Sequence, residues 1–88
     1  MLEKWGEEIQ IDMCIEEMAE LTKALCKYKR AKKLHTDDKE KAKKTLQDVQ
    51  EEIADVLNTV GQMHYLFGQE KINKIRQEKV NRTMKSNT

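Results

Sequence analysis

Glu16, Glu17 and Glu20 stand close together in the first quarter of this chain, and Glu52 and Asp55 repeat an acidic i, i+3 pair some thirty residues later. Carboxylates three residues apart share one face of a helix and lie close enough to act on a common ligand. On a wheel of about 100° per residue, Met13, Leu21, Ala24 and Tyr28 form a stripe, with Cys14, Met18 and Leu25 beside it. Glu17 falls inside that stripe, Glu20 lies on its border and Glu16 just outside. Around the second pair, Val49, Ile53, Val56, Val60, Met63 and Phe67 make the apolar face. Glu52 borders that face, Asp55 lies at its outer edge, and Asp48 sits one turn before Glu52.

If the two apolar faces pack together, Glu17, Glu20, Glu52 and Asp55 converge. Like charges in a partly dry setting repel and are poorly solvated. Lysines, protonation or a bound cation could compensate. All the donors are oxygen, and no His or Cys stands at ligand spacing, so a cation there would be hard: Mg²⁺ or Mn²⁺ rather than zinc or copper. A di-iron bundle would need Glu-x-x-His; this chain has Glu-x-x-Glu and Glu-x-x-Asp. Magnesium held by carboxylates keeps positions for water and phosphate oxygens, which points to phosphoryl or nucleotidyl chemistry. The plainer reading is a solvated face, since acidic runs are common on charged helices.

The elements that must position these residues are helices. The 88 residues include no proline and three glycines, 38% are charged, and strand formers are few. Three helices are expected: about Leu2 to Lys33, about Asp38 to Phe67, and about Glu70 to Lys85. Thr36, Asp37 or Asp38 would cap the second, and Gly68 would end it. Gly6 and Gly61 fall inside helices, where glycine costs roughly 1 kcal/mol against alanine. The expected fold is all-α, one domain over residues 1–88. Three amphipathic helices leave one side of so small a core open, so a homodimer or higher oligomer is expected to complete a helical bundle.

A net charge of +1, with lysines spread among glutamates, gives no reason to expect a nucleic-acid polymer as partner. No apolar run reaches the roughly 18 residues of a membrane helix, and the first ten residues are too polar for an export signal. Cys14 and Cys26 form no Cys-x-x-Cys pair and read as reduced core thiols of a cytoplasmic protein. Trp5 offers a ring for stacking on a base, although a Trp near a helix start more often serves a core or an interface. His35 and His64 have no partner at catalytic spacing.

Glu16-Glu17-Met18-Ala19-Glu20 followed by Glu52-Ile53-Ala54-Asp55 resembles the Glu-Glu-x-x-Glu … Glu-x-x-Asp signature of the MazG-like, all-α nucleoside triphosphate pyrophosphohydrolases. Trp5-Gly6, Gln10, Leu21, Val56 and Lys79-Val80-Asn81-Arg82 are similar to short members as well, so the resemblance runs from about Leu2 to Met84. It implies Mg²⁺-dependent hydrolysis of (deoxy)nucleoside triphosphates to the monophosphate and pyrophosphate, in the service of nucleotide-pool cleansing, by a dimer or a tetramer of dimers. Glu17, Glu20, Glu52 and Asp55 would be metal ligands. Glu16 would be a further ligand or would position the attacking water, with Glu16 or Glu20 as the base. Lys79 and Arg82 would contact the phosphates; the bland alternative is a snorkelling surface pair. Some relatives carry lysine four residues before the Asn-Arg pair, where this chain has Gln77. Two other readings compete: a non-enzymatic helical interaction module, and a related pyrophosphohydrolase acting on a phosphoribosyl nucleotide.

Overall fold

The computed structural model describes residues 2–34 and 39–86, with side chains for 6–33 and 39–85. The described residues form three helices and no strand: α1 (Leu2–Leu34), α2 (Lys39–Leu66) and α3 (Gln69–Ser86). The capping candidates Thr36, Asp37 and Asp38, together with His35, lie outside the described residues, as does the side chain of Trp5.

Gly68 makes the sharpest break in the chain. Its φ of 100° is in the left-handed region that β-carbons disfavour. The Gly68 carbonyl accepts from the Ile72 amide at 3.1 Å, so the residue that stops α2 also opens α3. His64 Nε2 donates to Asn73 Oδ1 at 2.8 Å and ties the two helices beside that turn. Gly6 and Gly61 have open space where a β-carbon would stand.

α1 packs along α2 as an antiparallel hairpin. α3 meets α2 only near the turn and, among the described residues, does not touch α1. The molecule is therefore extended, 50 × 46 × 13 Å, with a radius of gyration of 17.5 Å. A compact chain of this length would have a radius of about 12 Å.

The seam between α1 and α2 is lined by small residues. Cys14, Ala24 and Ala31 are buried from α1, and Val49 and Thr59 from α2. The Thr59 hydroxyl is satisfied by donating to the Val56 carbonyl at 3.0 Å. Cys26 is exposed, so of the two free thiols only Cys14 belongs to the core.

The expected apolar face of α2 is split. Val49, Val56 and Met63 turn toward α1, while Ile53, Val60 and Phe67 stay exposed. The reason is rotation: α2 turns toward its acidic edge, which brings Glu52 and Thr59 into the seam and leaves Leu46, Ile53, Leu57, Val60 and Phe67 as an outer stripe. On α1, Ile15, Met18 and Leu25 are left exposed in the same way, while Ile9 and Met13 are exposed on the acidic side. Because the helices run antiparallel, wheel geometry puts both stripes on one side of the hairpin and the acidic edges on the other. Among the described residues, no helix is long and apolar enough to cross a membrane.

Candidate metal centre

The antiparallel pairing sets Glu17 of α1 level with Glu52 and Asp55 of α2. One carboxylate oxygen from each lies within 4.8 Å of the other two. Glu17 and Glu52 are half-buried in the seam and Asp55 is exposed at its rim.

Glu52 is the anomalous member. Its Oε2 atom is buried and has no hydrogen-bond partner. A buried carboxylate oxygen without a donor is costly, so it calls for a proton, an ordered water or a cation. Burial pushes the Glu52 carboxyl above its ordinary value of 4.5, and the negative charges of Asp55, Glu17, Glu20 and Glu51 push it the same way. The environment thus holds the Glu52 proton more tightly than water would, and positive charge supplied from outside the cluster would offset that.

Glu20 is exposed and lines a cleft with Glu52, close enough for its charge to act on that carboxyl. Glu16 is exposed on the next position outward. Three of the four expected ligands are thus gathered tightly, with the fourth beside them. The donor set is oxygen throughout, and one buried oxygen lacks a partner; both features fit a hard divalent cation such as Mg²⁺.

Lys79 and Arg82 stand on α3, which makes no contact with α1 among the described residues, and they line neither cleft beside the acidic cluster. Gln77, at the position where some relatives have lysine, donates from Nε2 to Asn81 Oδ1 at 3.1 Å. Trp5 belongs to α1 twelve residues before Glu17, about 18 Å along the helix axis.

The cationic groups that do border Glu52 are Lys23 and Lys27. Sequence reasoning passed over them, although they follow Glu20 at three and seven residues and so share its face. With Glu20, Ala24, Thr45, Asp48 and Glu52 they enclose a cleft of about 130 Å³.

Compared with protein-family models, with curated proteins and with solved structures, the chain has no match.

Proposed function

We propose that this protein is a magnesium-dependent nucleoside triphosphate pyrophosphohydrolase of the MazG-like kind that works as a homodimer or a tetramer. The observation that carries the reading is the partnerless buried Oε2 of Glu52 inside a three-carboxylate cluster. Glu17, Glu52 and Asp55, with Glu20 beside them, would hold the ion, which when bound supplies charge neutralisation and Lewis acidity at the triphosphate. Mn²⁺ would suit the same oxygens.

The exposed carboxylates of Glu16 and Glu20 are then the groups available to take a proton from the attacking water. The water oxygen bonds to the α-phosphorus, the bridge to the β-phosphate breaks, and its electron pair leaves with pyrophosphate. Lys79 and Arg82 would join the site from the α3 of a neighbouring copy, since their own α3 diverges from the hairpin.

Oligomerisation is supported by surface. A compact 10.4 kDa monomer would expose about 5,400 Å², whereas this chain exposes 7778 Å². The excess is of the order that an obligate dimer hides. Its natural seat is the outer stripe, which includes Leu57 at 66% and Phe67 at 57% exposure.

Pyrophosphate release from a panel of nucleoside and deoxynucleoside triphosphates, with Mg²⁺ and a Glu52→Gln control, tests the reading. Turnover that the control loses is expected. No turnover across the panel, with a phosphoribosyl nucleotide included, would remove the enzyme and leave an interaction module.

A further inference from the structure

We propose that the cleft between Lys23 and Lys27 of α1 and Thr45 and Asp48 of α2 is the subsite for the two terminal phosphates of the substrate, which it holds as a magnesium-bearing pyrophosphate. The proposal rests on the hydrolase reading and adds to it a direction: the polyphosphate tail runs along the hairpin, away from the acidic cluster toward the α1–α2 turn.

The first support is position. Lys23 and Lys27 lie six and ten residues beyond Glu17, about 9 and 15 Å along α1. The cleft they line begins at Glu52, which is also a member of the acidic cluster. A phosphate held at the carboxylates therefore has this space beside it for its neighbours. At Thr45 and Asp48 the cleft adjoins a second one, lined by Lys41, Lys43 and Lys44 among others.

The second support is the state of the lysines. Among the described residues neither Lys23 nor Lys27 is ion-paired, although the acidic groups Glu20, Asp48 and Glu52 line the same cleft. Ammonium groups that are solvated and unpaired at a cleft wall are ready donors to phosphate oxygens.

The third support is the field along the hairpin. Residues 23–44 carry ten Lys and Arg against three Asp and Glu, while the rest of the chain carries seven against thirteen. Such a gradient orients a polyanionic tail with its terminal phosphates toward the basic end. The cleft itself is different, because two ammonium groups face three carboxylates there. A bare polyanion is poorly matched to that balance; on a phosphate chain that carries Mg²⁺ the metal can face the carboxylates while phosphate oxygens face the two ammonium groups. Wheel geometry puts this cleft on the side of the hairpin away from the apolar stripe, so a second copy seated on the stripe leaves it open.

Isothermal titration of the full chain with pyrophosphate in the presence of Mg²⁺ tests the subsite without relying on turnover. Binding by the wild type is expected, and a Lys23→Met/Lys27→Met variant should weaken it by at least about tenfold. A Lys29→Met/Lys33→Met variant removes the same charge from exposed positions outside the cleft and should stay within about twofold of wild type. All four lysines are exposed, so both variants should fold, which circular dichroism checks. The single variants Lys23→Gln and Lys27→Gln serve if the double one does not.

No binding by the wild type, or equal losses in both double variants, overturns the subsite. If the wild type hydrolyses triphosphates and the Lys23/Lys27 variant binds pyrophosphate unchanged, the subsite falls and the hydrolase stands. Selective loss of pyrophosphate binding in a chain that turns over no triphosphate keeps the anion subsite and overturns the hydrolase.

Discussion

Glu17 and Glu52, thirty-five residues apart in the chain, place carboxylate oxygens within 4.8 Å of each other across the α1–α2 seam. One Glu52 oxygen is buried there without a donor. Burying like charges opposes folding, and the cluster persists because the apolar and small residues above and below hold the helices in register. Relief of this opposition by a cation is the physical basis of the predictions on metal, pH and turnover.

Divalent metal should stabilise the fold through this cluster. At a hundredfold excess of Mg²⁺ over its Kd the gain is about 2.7 kcal/mol. Thermal melts with and without Mg²⁺ should show a higher Tm for the wild type. Glu17→Ala and Glu52→Gln should remove that gain. An unchanged gain in either variant would move the metal elsewhere.

Acid should relieve the metal-free protein at Glu52. The folded state holds this carboxyl's proton more tightly than the unfolded chain, whose value is near 4.5. The native chain therefore binds more protons in the window just above that value, and stability falls as pH rises through it. The penalty is complete above the folded pKa and absent below the unfolded one. In chelator, Glu52→Gln should melt above the wild type at neutral pH, and the difference should shrink on acidification through that window. A difference that grows on acidification would contradict the assignment.

Turnover should separate the ligands from the base. Asp55→Ala and Glu17→Ala should each lower kcat/KM by roughly 10²–10³-fold, the usual consequence of losing charge stabilisation at the reacting group. If Glu16 is the base, Glu16→Gln should lower kcat by about 10²–10⁴-fold and leave the Mg²⁺-dependent Tm gain intact. If Glu20 holds that role, Glu20→Gln should show the kinetic loss instead. Steady-state kinetics beside melts of the same samples distinguish these patterns.

A charge placed on the outer stripe should break the assembly. Leu57 is 66% exposed in the single chain and lies on the side away from the acidic cluster. Leu57→Asp should shift sedimentation from dimer or tetramer toward monomer and lower the Tm at micromolar concentration. A monomeric wild type that melts independently of concentration would exclude the dimer.

Gly68→Ala tests the turn that aims α3. No neighbouring atom approaches where its β-carbon would be, so the cost is confined to the backbone at φ 100°. That conformation should cost roughly 1–2 kcal/mol, read as a lower Tm with the Mg²⁺ gain preserved. Loss of turnover in this variant without loss of metal stabilisation would place α3 residues at the site.

The sequence alone determined the helices, because propensity and breakers are local: the absence of proline, the helix-forming composition and Gly68 suffice to place three segments within a few residues of those observed. It also determined which carboxylates share a face, since an i, i+3 spacing means the same thing on any helix. Only the tertiary structure decided how α2 is rotated about its axis. Its apolar residues are numerous enough to serve two faces, and a wheel cannot say which face meets α1. That rotation put Glu52 and Thr59 inside the seam, left Ile53, Val60 and Phe67 outside it, and brought Glu52 to the cleft that Lys23 and Lys27 line. Pairing across two helices depends on the register of the whole interface, which no single helix encodes.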